Sequence, residues 1–299
     1  MSLPLVSVLI PCYNHQDYIE ECINSVLDQD YENLSIIITD DFSLDNSRSI
    51  LLTKYNNNPK IKLILNDKNR GLNLSMKHML EISDGEFIAQ FSGDDYWSDK
   101  SKITKQINWF DSNREASICF TGVQKINKYG HFENINNAFD DIINEHNIFK
   151  KTYILGESYS SFLIRKKFIP LDPFPEKLGV FADWYNICRV ALNGKVGGIK
   201  DFTTVYRKHD NSLSALNSEI MIYDHLEVCF LLKQSLDEAL SKDLFDMINF
   251  LIFNKYESIN AENENKIDWL SKQRGLLTAE LDSIKSKKIY RMLKHLNIL

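Results

Sequence analysis

Cysteine is sparse and unpatterned. The five in 299 residues (Cys12, Cys22, Cys119, Cys188 and Cys229) are odd in number and never stand in a CxxC spacing. That excludes a disulfide framework and a zinc knuckle and suits a reducing cytoplasm. Long apolar runs are missing too. No segment approaches the roughly 18 apolar residues of a membrane span, and the N-terminus has no basic stretch leading into an apolar one, so a soluble or peripheral chain is expected. Positive charge is not in excess: the formal net charge of -6 leaves no global basic footprint for nucleic acid. No period of 20 to 50 residues recurs. What is present, 43% hydrophobic and 25% charged residues, is enough for one large domain, or one domain with a smaller companion, built around an ordinary core.

In the first half, short β-branched runs alternate with helical periods. VSVLI (6–10), LSIIIT (34–39), IKLIL (61–65), EFIAQF (86–91) and SICFTGV (117–123) read as buried strands. In YIEECINSVLDQ, residues Ile19, Cys22, Ile23, Val26 and Leu27 mark one face of a helix. LNLSMKHMLEIS and KITKQINWF repeat that pattern, the second through Ile103, Ile107 and Phe110. Alternating strands and helices predict a Rossmann-like α/β domain with a mostly parallel sheet, whose ligands gather at the carboxyl ends of the strands.

The residues just after those strands are polar or acidic. PCYNH carries Tyr13 and Asn14, DDFSLDNS carries Asp40, Asp41, Ser43 and Asp45, and SGDDYW carries Asp94 and Asp95. Crowding carboxylates at one edge is costly unless a cation or a set of donors offsets them. Carboxylate oxygens are hard ligands suited to Mg or Mn, and no local His/Cys set suggests zinc. Helix capping is the competing reading of Asp40, Asp41 and Ser43 taken singly.

VSVLIPCYN, IIITDDFSLDNS, NDKNRGL and EFIAQFSGDDYW with SDKSKITKQ behind it, followed later by VFADWYNICRVALNGKVGGI and VYRKHDNSLS, resemble the family 2 glycosyltransferases of the GT-A fold. The resemblance spans about residues 5 to 214. It implies a mostly bacterial, inverting, metal-dependent transfer of a sugar from a nucleotide-diphosphate donor, a UDP-sugar above all, to a glycan or lipid-linked acceptor in cell-surface polysaccharide synthesis. Position by position, it implies that Pro11, Tyr13, Asn14 and Asp41 hold the nucleotide and that Arg70, from NDKNRGL, approaches the donor. Asp94 faces the ribose, and Asp95 binds Mg or Mn. Ser92 stands where many relatives carry a further Asp, so one negative charge is missing. Trp97 is expected to pack beneath the motif. Asp183 matches the general base, although an acidic residue in a first helical turn is also favoured by the helix dipole. In VYRKHDNSLS, Arg207 and His209 are alternate residues of an extended segment and so share a direction, with Arg207 toward the diphosphate and His209 toward the metal.

Residues 127–160, rich in Asn and weakly periodic, read as an acceptor-side insertion. Ser160, Ser161 and Arg165 in SYSSFLIRKKF are candidates for acceptor contact. The expected division is a glycosyltransferase domain over 1–215 and a C-terminal helical appendage over 216–299. The last segment, KSKKIYRMLKHLNIL (285–299), is basic and amphipathic. It suits an anionic membrane at the inner face of the cell envelope, the domain surface, or a second copy in a homodimer. Two alternatives belong to other classes. A GT-A-like nucleotidyltransferase calls for a glycine-rich basic loop after the first strand, and PCYNHQDY is neither. A non-catalytic sugar-nucleotide-binding subunit has no need of Asp95 and Asp183 together.

Overall fold

The computed structural model describes residues 3–127, 129–133, 149, 152, 159–175, 178, 181–209, 227–233, 236 and 240–249. The strands are β1 (Val6–Cys12), β2 (Leu34–Asp40), β3 (Ile61–Leu65), β4 (Phe87–Gln90), β5 (Tyr96–Trp97), β6 (Ala116–Ile126), β7 (Phe132–Glu133), β8 (Leu163–Arg165) and β9 (Lys195–Arg207). The helices are α1 (Ile19–Leu27), α2 (Ser47–Lys54), α3 (Leu72–Glu81), α4 (Lys102–Ser112) and α5 (Ala182–Ala191).

The strands form one sheet in the order β3-β2-β1-β4-β8-β6-β9-β5, with β7 added beside β6. β1 pairs in parallel with β2 and β4, β2 with β3, and β6 with β9. Val6, Val8, Leu9 and Ile10 are fully buried, as are Ile36 and Ile38, because the sheet is covered on both faces. The predicted helical stripes do the covering: Ile19, Cys22, Ile23 and Val26 from α1, and Ile103, Ile107 and Phe110 from α4, join the same core as β1 and β2.

Three strands run antiparallel to their neighbours: β5 against β9, β7 against β6, and β8, within SYSSFLIRKKF, which lies between β4 and β6 and opposes both. Two reversals restore direction, so β6 and β9 run the same way as β1, β2 and β4, and their carboxyl ends share one edge. α2 was not evident from periodicity because its buried residues are only Ser47 and Leu51.

Residues up to Met247 belong to one compact unit. Helices at 227–233 and 240–249 fall in the segment expected to be helical. Most of the 127–160 insertion and all of 285–299 lie outside the described residues. Among the described residues no helix is long and apolar enough to cross a membrane. All five cysteines are buried and unpaired.

Candidate active site

The edge is built around Asp94 and Asp95, which leave β4 through a turn closed by the Asp95 N–H on the Ser92 carbonyl at 3.2 Å. Gly93, just before Asp94, is obligatory: a Cβ there would lie 2.6 Å from His15 Nδ1 and 2.8 Å from the Pro11 carbonyl oxygen. The backbone of the motif thus lies flush against the exit of β1. Trp97 is buried beneath it, stacked on Phe91 with centroids 4.6 Å apart, and its Nε1–H donates to the Ser160 carbonyl at 2.8 Å.

The two carboxylates have different neighbours. Asp95 Oδ2 accepts from the Ser160 hydroxyl at 2.5 Å, and Oδ1 accepts from the Arg207 backbone N–H at 3.1 Å. Both oxygens are engaged by uncharged donors, and burial, with the Asp94 charge beside it, pushes this carboxyl well above the usual range. Asp94 Oδ2 lies 3.1 Å from His209 Nε2, and its Oδ1 accepts from the Ser92 hydroxyl. Burial alone would raise Asp94, but His209, His15 and the Ser92 hydroxyl hold its carboxyl down at about 2. The structure therefore brings His209 against Asp94 rather than Asp95, the carboxylate expected to carry the metal, and gives Asp95 the interior position.

Arg207 also departs from expectation. Its guanidinium pairs with Glu21 of α1 and lies over the rings of Tyr18 (5.3 Å) and Tyr96 (5.0 Å), so its direct hold on the motif is through the backbone. Tyr18 also stacks on His209 at 4.9 Å. The end of β9 is thus fixed to α1 and to the motif at once.

The loops after β1 and β2 are zipped together. Asn14 N–H donates to Ser43 Oγ, Leu44 N–H to Asn14 Oδ1, His15 N–H to Ser47 Oγ and Gln16 N–H to Asp45 Oδ2, all within 2.8–3.0 Å. Asn14 is therefore a loop tie, whereas Tyr13 remains 41% exposed and Pro11 lies in β1. Asp41 is buried and accepts from Asn66 Nδ2, Arg70 N–H and Gly71 N–H at 2.7–2.8 Å. Gly71 has φ of 85°, which glycine adopts freely and which aims its N–H at that carboxylate. Arg70 joins the site through its backbone, while its side chain reaches Asp67 at 3.5 Å.

Asp183 opens α5, with its Oδ1 accepting from Trp184 N–H at 2.7 Å. Burial pushes its carboxyl up to about 7, against the lowering effect of Trp184 N–H and the Tyr159 side chain. Tyr159 and Ser160 are successive residues of one 3-10 turn, Tyr159–Ser161. That turn holds Asp183 with one side chain and Asp95 with the next, linking the two carboxylates. Ser160 is thus engaged by Asp95 and not left to an acceptor, and the Ser161 carbonyl takes Gln106 Nε2 at 3.0 Å. Arg165 lies at the opposite edge, paired with Glu86 at 3.2 Å and packed over Phe87 and Phe110.

Sequence reasoning missed His15, whose Nδ1 is buried without a partner beside Gly93. It also missed Tyr18, Glu21 and Tyr159, which carry no motif and act only through contacts distant in sequence. The donor set suits a hard divalent ion: Asp94 and His209 approach within 3.1 Å of each other, and no group of three ligating side chains occurs among the described residues. Two protein ligands, with the rest supplied by diphosphate oxygens and water, is how Mg is held in phosphate-processing sites.

A parallel α/β sheet with an acidic, His-bearing carboxyl edge is the GT-A arrangement. The match to the model for Glycosyl transferase family 2 covers residues 7–169, and the chain belongs to that family. It is 38% identical over 119 residues to a Bacillus subtilis protein named as a teichuronic acid biosynthesis glycosyltransferase, TuaG, covering 40% of this chain and 46% of that one. It is 25% identical over 275 residues to the chondroitin synthase of Pasteurella multocida, covering 90% of this chain and 27% of that one. The chain thus spans less than half the length of these relatives. Among solved structures, S. aureus TarS 1–349 in complex with UDP-GlcNAc superposes with a TM-score of 0.69 at 20% identity, over 84% of this chain and 73% of that one. The mannosyltransferase PcManGT from Pyrobaculum calidifontis, in complex with GDP-Man and Mn2+, superposes with a TM-score of 0.58 at 13% identity, over 97% and 82%.

Proposed function

We propose that the chain is an inverting glycosyltransferase that moves a sugar from a nucleotide-diphosphate donor, a UDP-sugar first, to a hydroxyl of a glycan or lipid-linked acceptor in cell-surface polysaccharide synthesis. The observation that carries this is the joining of Asp94 and His209 to Asp183 through Asp95 and the turn at Tyr159–Ser161. Tyr13 and Asp41 line the donor side, where an exposed aromatic ring and a carboxylate suit a nucleobase. Asp94 and His209 hold Mg or Mn, with Asp95 as the buried carboxylate that fixes the turn. The ion, when bound, offsets charge on the departing diphosphate. Asp183 takes the proton of the attacking hydroxyl as the new bond forms, and a carboxyl tuned to about 7 is matched to that role near neutral pH. A base for the acceptor hydroxyl and an ion for the departing diphosphate suit a single displacement, in which the bond to the acceptor oxygen forms as the bond to the diphosphate breaks, without a covalent intermediate.

The TarS complex with UDP-GlcNAc and the PcManGT complex with GDP-Man and Mn2+ support a nucleotide-sugar donor and a divalent ion. Residues 1–215 form the catalytic domain in this reading. The appendage 216–299 lets a cytoplasmic enzyme meet its acceptor at the inner membrane face through 285–299. The test is a panel of UDP-, GDP- and dTDP-sugars, read by thermal shift and by hydrolysis with Mg, Mn or chelator. Stabilisation and hydrolysis by one donor class, lost with chelator, is expected. Equal UDP affinity with and without chelator overturns the metal assignment, and preference for another base overturns the uridine one.

A further inference from the structure

Two non-glycine residues among those described have left-handed backbone, Asn14 at φ 58° and Phe42 at φ 63°. Asparagine tolerates this because its side chain bonds locally, and Asn14 Oδ1 does so with Leu44 N–H at 2.8 Å. Phenylalanine has no such bond, and its Cβ is crowded in this region. The conformation is forced from both sides. Asp41 N–H donates to the Cys12 carbonyl at 2.8 Å, Ser43 N–H to Asp40 Oδ2 at 3.3 Å, and Asn14 N–H to Ser43 Oγ at 3.0 Å. Burial does not offset the cost, since Phe42 stays 40% exposed. Strain that the surroundings impose without a packing return is a mark of function.

The ring is also firmly mounted. Arg48 Cζ lies 5.5 Å from its centroid, and Arg48 itself is held by Asp40 and by the Asn66 carbonyl, both at 2.6 Å. Phe42 follows Asp41 directly, and the loop tied to its own carries Tyr13, 41% exposed. A half-exposed aromatic ring next in sequence to a buried carboxylate, on a loop tied to one that carries a second exposed ring, matches a planar heteroaromatic ligand better than a sugar or a diphosphate.

We infer that Phe42 is a donor-binding residue, packing its ring against the nucleobase of the nucleotide diphosphate. The assignment rests on the donor reading above. Stacking on an aromatic side chain tolerates any base, so Phe42 supplies affinity for the base face while Asp41 reads its edge.

Calorimetry of the full chain with UDP and with inorganic diphosphate, both with Mn2+, tests it on wild type, Phe42→Asn and Phe42→Tyr. Phe42→Asn, whose residue accepts the left-handed backbone, is expected to melt at or above the wild-type temperature and to bind diphosphate unchanged. It should bind UDP about tenfold more weakly, and Phe42→Tyr should restore affinity. If Phe42→Asn melts lower, Phe42→Gly, which meets that backbone without a Cβ, carries the same comparison. UDP affinity within twofold of wild type, or diphosphate affinity falling in step with UDP, overturns the role of Phe42 alone. Wild type that binds neither UDP, GDP nor dTDP overturns the donor reading and this inference with it.

Discussion

Asp40–Asp41 after β2 and Asp94–Asp95 after β4 are both adjacent carboxylates at the end of a buried strand, and the chain treats them differently. The first pair is compensated from within. Arg48 sits 2.6 Å from Asp40, and Asp41 takes N–H bonds from Asn66, Arg70 and Gly71. The second pair contacts one imidazole, two hydroxyls and one backbone N–H, and among the described residues no Lys or Arg side chain is bonded to it. A buried carboxyl pushed up by its neighbour's charge, as Asp95 is, is what a ligand cation relieves, whereas charge already matched maintains the shape of a loop. The first pair is therefore held in shape by its own donors, which fixes the loop carrying Asp41, and the second is the one suited to a cation.

The largest effect expected at this edge comes from a carboxylate outside both pairs. Asp183→Asn should lower transfer by about 10²–10⁴ while UDP and Mn2+ affinity stay within a few fold, because a lost general base affects the chemical step. In the wild type, transfer should rise as pH passes through about 7, where Asp183 loses its proton, and the variant should lack that limb. Near-normal transfer by Asp183→Asn would assign the base elsewhere. Loss of UDP binding would instead place Asp183 with the second pair.

The pairs themselves separate next. Asp94→Asn should weaken Mn2+-dependent UDP binding at least tenfold, about 1.4 kcal/mol. Its melting temperature should move little, since the lost hold of His209 and the Ser92 hydroxyl on Asp94 is set against relief of the like charge beside buried Asp95. Asp41→Asn should cost stability outright. An amide cannot accept from all three of its donors, and an unsatisfied buried N–H costs about 1–3 kcal/mol, so the melt should drop by several degrees. If Asp94→Asn destabilises as much as Asp41→Asn and leaves metal-dependent binding intact, the contrast between the pairs disappears.

Much of this edge is legible in the chain. Runs such as VSVLI and LSIIIT are apolar on successive positions rather than alternate ones because both faces of their strands are covered, and their polar exits locate the site. The partners are another matter. Ser160 and Arg207 meet Asp95 across 65 and 112 residues, and nothing local in either sequence marks the meeting. β8 escaped a confident reading because three residues, Leu163–Arg165, are too short for a period, and its antiparallel direction depends on its neighbours. Which carboxylate of DD faces inward is set by the Ser160 hydroxyl and the Arg207 backbone, so composition alone could not assign His209 to Asp94.

A last contrast concerns cations. The first pair meets its arginine directly, but the cation on the second side, Lys102, is fully buried in α4 and lies behind Trp97, with Nζ 4.5 Å from the ring centroid. Its ammonium donates to Gln106 Oε1 at 2.7 Å, and burial lowers its pKa to about 7. An unfolded lysine titrates near 10.4. Between those values the unfolded chain holds a proton that the folded chain has shed, so this site makes stability rise with pH across that window. Below about 7 both states are protonated and the burial penalty is complete. Lys102→Met, close in volume, removes the titration along with the Gln106 bond and the contact with Trp97. Near pH 9 its melt should fall within about 1.5 kcal/mol of wild type. On lowering pH to 6 the variant should gain relative to wild type, so the two melting curves diverge toward acid. Parallel curves from pH 6 to 9 would mean that Lys102 does not titrate in that window and that burial behind Trp97 leaves its charge in place.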